Sequence, residues 1–333
     1  MEHHVIINSI GTASPSASKV LSDALKVPQD YILKLLYNAP SVLFQKVDKD
    51  TALKAENTLT KLGLEVSVCD ENDIINLSTE LVDISLSFDD VLKLPVVIEQ
   101  LSAFLGCKQN ETLNLLLNEP SIVLGNVSVA TAKALQKRVD ATVNFSNPKK
   151  DKYTVVLDEE LAKTELKNIE RQLKSTAILH KKRYLIENIS YENSQLLWRK
   201  YQSKKGIRIV NQSHQLVHVV MQNFTIEDEK QQAFLINTVG IPKDILEDIQ
   251  QVLPITLFEN KNSVAAEKII RECEAIGITV VLEKDFSQNK RIEIDEIQDL
   301  EKVNRVLGQF ISEKDLPKKV KQNGLVRRQY HFW

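Results

Sequence analysis

The residues best equipped for chemistry are the histidines. His214 and His218 stand four apart, and on a helix that spacing would put two imidazoles on one face, as in a metal site. The surrounding run, residues 214–220, reads instead as a strand. There the i and i+4 side chains share a face but lie about 13 Å apart by strand rise, too far for one metal, so a solvated sheet face is expected. Carboxylates cluster at Asp89 and Asp90, at Asp158, Glu159 and Glu160, and at Glu227, Asp228 and Glu229. Each group follows a strand end, where an acidic side chain caps free N–H groups and complements the helix dipole. General acid–base work needs a convergent cleft, which nothing in the pattern suggests. Ser14, Ser16 and Ser18 surround Pro15 and read as a loop and N-cap cluster. Cys69, Cys107 and Cys273 stand far apart without a CxxC spacing, which argues against a zinc knuckle or a redox dithiol.

Neither a phosphate-cradling glycine loop nor a GxSxG elbow occurs, and most of the nine glycines are accounted for by turns and caps. No catalytic, cofactor-binding or metal-binding residue is therefore assigned. Two other groups rise above background. Lys181, Lys182 and Arg183, then Arg199, Lys204, Lys205 and Arg208, are interleaved with Tyr184, Tyr191, Trp198 and Tyr201. Such a mixture can hold a phosphate backbone and stack bases. Glu187 and Glu192 dilute the field, and a solvated charged face with Trp198 in a core is the favoured reading. The chain ends in Arg327, Arg328, Tyr330, Phe332 and Trp333. Aromatic residues and Arg are enriched at interface hot spots, so these five are a candidate partner anchor.

Lys plus Arg total 43 against 45 Asp plus Glu, so the chain as a whole carries no field that would single out nucleic acid or acidic lipid. The longest apolar runs, such as residues 113–117 and 276–282, fall far short of the roughly 20 residues a bilayer needs. Residues 1–8 have neither a basic n-region nor a sustained apolar stretch, and the cytoplasm is the expected compartment.

The elements that would position these residues form a repeat. Pro40, Ser41, Val42, Leu43 and Phe44, then Thr51 and Ala52, then Gly63 with Leu64 to Val68, have a counterpart in Pro254 to Phe258, Ala265 and Ala266, and Gly277 with Ile278 to Val281. Proline to glycine is 23 positions in both. Shorter or weaker copies run from Pro120 to Phe145 and from Arg183 to Val210. Each reads as a buried strand, an amphipathic helix ended by a glycine, which is replaced in the copy from Pro120 to Phe145, and a second strand. Gly63, Gly206 and Gly277 fall where a left-handed C-terminal cap belongs. Upstream lie another strand and two short helices, residues 18–26 and 29–37 in the first copy, with Pro28 at a helix start and Pro242 at the matching point of the last.

This order, together with Asn38, Ala39 and Pro40 before the second strand and the run Leu62, Gly63, Leu64, Glu65, Val66, Ser67, Val68, resembles the C-terminal domain of the ribosomal stalk protein, the fold also used by the ClpS adaptor. The resemblance implies a protein-binding α/β module. The stalk domain's factor-binding segment, of Gly-Leu-Gly-Leu-Lys type, is not matched at Val27 to Tyr31, Gly106 to Asn110 or Gly240 to Asp244, so those residues are not carried over, and fold alone does not fix function.

The sequence therefore predicts an α/β chain of the α+β sandwich type. It is read as four tandem βααβαβ copies with three-stranded sheets, at 1–72, 80–147, 151–212 (degenerate) and 213–287, followed by an extension at 288–333. The expected role is a non-enzymatic scaffold or adaptor whose partners are proteins, subunits of a large assembly among them. Nucleic acid or a ribosome-associated role at the basic third copy is the alternative, and no cofactor or small-molecule substrate is indicated. Removing residues 316–333 is expected to change the oligomeric state or the set of co-purifying proteins, read by light scattering and mass spectrometry. A truncated chain identical to the full one in both would exclude the tail as an anchor.

Overall fold

A computed structural model describes residues 2–73, 77, 80–87, 91–117, 122–180, 182–284, 290–294, 305–306, 309 and 328–332. The α/β class is as expected. The first copy comprises β1 (His3–Ser9), α1 (Ser16–Leu25), α2 (Gln29–Tyr37), β2 (Ser41–Val47), α3 (Lys49–Lys61) and β3 (Glu65–Asp70). Its sheet order is β2-β1-β3, with β1 antiparallel to both neighbours, so α3 carries the chain over β1 between two strands that run the same way. The second copy repeats this with β4 (Leu81–Ser87), α4 (Leu94–Leu105), α5 (Gln109–Leu117), β5 (Ile122–Ser128), α6 (Val129–Gln136) and β6 (Thr142–Ser146), in the order β5-β4-β6.

The third copy departs from the expected order. It runs β7 (Tyr153–Asp158), α7 (Glu159–Leu173), β8 (Ile178–His180), β9 (Arg183–Ile189), α8 (Tyr191–Tyr201) and β10 (Ile207–Asn211), and its sheet has four strands in the order β10-β7-β9-β8. That is the split βαβ arrangement, βαββαβ, rather than βααβαβ. The cause is local. Neither proline nor glycine interrupts residues 159–173, so one helix forms where the other copies have two, burying Ala162, Ile169 and Leu173. It ends at Lys174 in a left-handed conformation, and β8 takes the place of the second helix. The fourth copy returns to the expected plan: β11 (Val217–Asn223), α9 (Glu229–Asn237), a short 3-10 turn leading into α10 (Leu246–Gln251), β12 (Ile255–Lys261), α11 (Ser263–Ala275) and β13 (Thr279–Lys284), in the order β12-β11-β13. In the extension, β14 (Lys290–Ile294) pairs antiparallel with β15 (Arg328–Phe332). Further along the extension Arg305 and Val306 are helical, and most of residues 300–310 lies outside the described residues.

One joint recurs in all four copies. The strand that precedes the crossover helix bulges against the first strand. In three copies the bulge holds a residue with left-handed backbone: Lys46 (φ 54°), Asn126 (φ 57°) and Asn188 (φ 59°). Two residues later a side chain caps the helix. Asp48 accepts from the N–H of Thr51 at 2.9 Å, Ser128 from Thr131 at 3.2 Å, Ser190 from Asn193 at 3.4 Å and Asn262 from Ala265 at 2.8 Å. Such a bulge turns the strand and the cap starts the helix at a fixed angle. At the other end of α3, Gly63 has φ +90°, and a Cβ there would lie 2.7 Å from the backbone nitrogen of Ala13. The Gly63 carbonyl accepts from the N–H groups of Thr12 and Ala13, a close approach that only glycine permits.

By contact the chain divides into two compact units, Met1–Pro148 with Asn289–Trp333, and Lys149–Gln288. In the first unit, copies one and two share a single core, in which Ile7, Ile32 and Leu36 belong with Leu101, Phe104 and Leu135. Polar contacts cross between these copies. The Arg138 guanidinium donates to the Ala13 carbonyl at 2.8 Å and lies 4.9 Å from the centre of the Phe104 ring. The Tyr37 hydroxyl donates to the Phe104 carbonyl at 3.2 Å, and burial pushes that phenol up to about 12. In the second unit, copies three and four keep separate cores, with Lys284 Nζ 2.7 Å from Glu187 Oε1 as a link between them. A domain of 60–75 residues buries too little surface to be robust alone; sharing a core solves that for the first two copies. Phe104→Ala is expected to cost about 3–5 kcal/mol and, because the core is common, to accelerate amide exchange in both β1 and β4. Acceleration confined to β4 would show that the two copies are independently stable.

Candidate functional site

The carboxylate groups are engaged as caps. Asp158 Oδ1 accepts from Leu161 N–H at 2.8 Å, and Asp228 Oδ1 accepts from the N–H groups of Lys230 and Gln231. Asp89 and Asp90 lie outside the described residues. The serine cluster needs correction, since α1 is preceded by Pro15, which offers no side-chain cap. Ser14 Oγ bonds Ser16 Oγ, and Ser18 Oγ donates back to the Pro15 carbonyl. His214 also departs from expectation. It is 3% exposed in a 3-10 turn, Gln212–His214, because the strand begins only at Val217; it does not share a solvated sheet face with His218. Among the described residues no group of three or more His, Cys, Asp or Glu is placed to hold a metal ion. Burial pushes the Cys273 thiol up to about 11, with Glu272 and Glu274 adding to the effect, so it is protonated at neutral pH and a poor nucleophile.

The basic residues of the third copy are brought toward one end of its sheet. Lys182 occupies the β8–β9 turn, exposed and with φ 67°. Arg183 opens β9 opposite Asp158 and His180. Since Ile207 pairs with Leu157 at the end of β7, the preceding loop with exposed Lys204 and Lys205 reaches the same end. Arg208 follows, half-buried, on β10, and Arg199 is exposed on α8; Lys181 lies outside the described residues. The cations do not form an unbroken stripe. Asp158, Glu159 and Glu160 start α7 at that end, and Lys204 is held by Glu165, whose other oxygen accepts from the Tyr201 hydroxyl at 3.0 Å. Hydrogen bonds from Lys204, Asn168 and Tyr201 hold the Glu165 carboxyl down to about 2.

Trp198 corrects a further expectation. α8 buries Ser194, Leu197 and Tyr201, a helical series in which Tyr201 takes the core position. Trp198, one residue past Leu197, is turned by about 100° and is 53% exposed, with Leu196 at 52%. Two exposed residues escaped the sequence reading. Ile178 and Leu179 on β8 are each 63% exposed; as neighbours in a strand they point to opposite faces, and the available signal was two adjacent apolar residues outside the periodicity of α7. In the tail, Arg328, Tyr330 and Phe332 lie on β15, opposite Ile294, Ile292 and Lys290, whereas Arg327 and Trp333 lie outside the described residues.

No described helix is long and apolar enough to cross a membrane. Comparison with known proteins returns no match: no family model, no curated protein and no solved structure is significantly similar to the chain.

Because the folded pKa of Glu165 lies below its ordinary value, the stability it contributes is complete above about 4.5 and is lost as pH falls toward about 2. Urea unfolding of wild type and Glu165→Gln should therefore differ at pH 6, with the gap closing across that acid window. A pH-independent gap would mean that packing, not the ionised carboxylate, carries the effect.

Proposed function

We propose that this protein is a non-enzymatic scaffold or adaptor, a cytoplasmic component of a larger assembly, whose α/β copies bind protein partners. The observation that carries the reading is the surface of the third copy: Ile178, Leu179, Leu196 and Trp198 are all more than half exposed on a fold with its own complete core. A lone exposed leucine needs no explanation, but an adjacent apolar pair on an edge strand and a tryptophan beside a leucine on a helix are what interfaces use. The engagement of Asp48, Asp158 and Asp228 in caps supports the absence of an acid–base role. The kinship to the stalk and ClpS modules remains part of the same proposal, supported by the strand–helix order of copies one, two and four.

Nucleic acid is the second reading. It is favoured by one observation, an exposed Trp198 next to exposed Arg199, since a base can stack on an exposed indole beside a cation.

The two readings separate on salt. Affinity capture on the full chain, washed at about 0.05 M and about 1 M salt, should retain discrete proteins at the higher concentration, because apolar contacts survive screening whereas phosphate contacts fall steeply. Recovery of nucleic acid alone, lost at high salt, would replace the adaptor by the second reading.

A further inference from the structure

We infer that the fourth copy carries a docking face for a basic α/β module of a partner protein, the face that in the first copy receives the second. This inference rests on the adaptor reading and names a surface and a partner for it. The first and fourth copies are one structure repeated at a constant spacing. His3 pairs with Val47 and Asp70, and 214 positions later Val217 pairs with Lys261 and Lys284. Ile7 pairs with Ser41 and Val66, and Met221 with Ile255 and Val280. Gly63 and Gly277, which follow the crossover helices, keep the same spacing and are both left-handed. A position in one copy therefore has a definite counterpart in the other.

In the first copy this face holds the second. The carbonyls of Gly11 and Ala13 accept from the Arg138 guanidinium. The Tyr37 carbonyl accepts from the Thr131 hydroxyl at 2.8 Å, and the Tyr37 hydroxyl reaches the Phe104 carbonyl. Pro15 lies so near Gly106 that a Cβ there would stand 2.6 Å from the proline Cβ. The counterparts of Gly11, Ala13, Pro15 and Tyr37 in the fourth copy are Thr225, Glu227, Glu229 and Gln251, and all four are exposed. Val252, beside Gln251, is 63% exposed, whereas the matching Asn38 is half-buried. The third copy shares a compact unit with the fourth and leaves this face uncovered.

Side chains decide which module fits. Glu227 and Glu229 replace Ala13 and Pro15, and Glu247 and Asp248 stand one turn before Gln251 on α10, all exposed. Lys230 adjoins Glu229, and Lys243 lies at the other end of the α10 segment. The cations of α11 are engaged, Lys268 with Glu272 and Arg271 with Glu267. The loop before α9 is closed from within, because Gln231 accepts from the Thr225 N–H at 2.7 Å and donates to the Ile276 carbonyl at 2.9 Å. Acidic side chains around an exposed valine are thus what a partner meets. A module seated as the second copy is seated on the first would bring the end of its crossover helix, where Arg138 stands just beyond α6, against Glu227. A cation there gains an ion pair and an acid is repelled. Another molecule of this chain does not fit, since its second copy is already covered by its first, and two fourth copies would oppose acid to acid.

The test uses the full chain carrying photoreactive p-benzoylphenylalanine in place of Val252 or, separately, of Trp198 on the third copy, irradiated in extract of the source cells. The chain labelled at 252 should cross-link a protein whose attached peptide, identified by mass spectrometry, belongs to a folded α/β module with Lys or Arg at the contact. That protein, purified, should bind the wild-type chain in fluorescence polarisation, more weakly as salt rises. Glu227→Lys changes one exposed loop position and should keep the wild-type melting temperature while weakening this binding at least about tenfold. Replacing the partner's cation by Glu should restore binding to that variant. A cross-linked segment that is acidic or lies outside a folded module overturns the assignment, as does undiminished binding by Glu227→Lys. So does a cross-link from 252 to another molecule of this chain. Protein cross-linked from position 198 alone would remove the face and leave the adaptor in place; none from either position would remove both.

Discussion

Everything in this fold depends on how one strand turns into one helix. A three-stranded sheet with its first strand in the middle requires the chain to leave the second strand, cross one face and return on the far side of the first. The left-handed residue in the bulge fixes the direction of departure, and the cap two residues later fixes where the helix begins. Lys46 with Asp48, Asn126 with Ser128, and Asn188 with Ser190 are three versions of the same joint. Asn tolerates left-handed backbone better than most residues, and Asp, Ser and Asn are the strongest caps, so in the second and third copies both residues of the joint prefer their position, whereas in the first only the cap Asp48 does. The third copy keeps this joint while replacing a helix by a strand. The upstream half of the copy is therefore the variable part and the crossover half the invariant one.

That division explains what the sequence disclosed. The crossover half combines an apolar run and a helical period with, in three of the copies, a terminal glycine, signals that reinforce one another, and it was legible in all four copies. The upstream half rests on weaker signals. Where Pro28 separates two helices the reading held; where residues 159–173 run on without a breaker, a three-residue strand beyond them left no periodic trace. The spaced pairs Asn126 with Ser128 and Asn188 with Ser190 were in plain view, but a left-handed residue is a property of the pairing register rather than of composition. Trp198 was misplaced for a related reason. Size and apolarity favour the core, yet the buried stripe of α8 was already filled by Leu197 and Tyr201, and a helix has only one such stripe to give.

The candidate surface follows from how each copy settles its burial. Copies one and two merge their cores, with Arg138 and Tyr37 satisfying backbone carbonyls across the contact, and the surfaces they spend on each other are no longer available to a partner. In the third copy β7 is buried on both faces. Val155 and Leu157 lie under the helices, and Val156 packs with Leu185 and Val210 on the opposite side. What is left exposed is the perimeter: the edge strand, the outer side of α8 and the loops at one end of the sheet.

The charges of that perimeter argue against a uniform electrostatic role. An extended phosphate backbone is best met by cations in an unbroken row, but the start of α7 inserts Asp158, Glu159 and Glu160 at the end where Lys182, Lys204 and Lys205 gather, and Glu165 holds Lys204 with two partners in place. Asp158 caps α7 and its acidic neighbours complement the helix dipole. The acids that start α7 at the end of β7 break up the basic field. What remains is a set of short cationic flanks around apolar side chains in place of a continuous basic row.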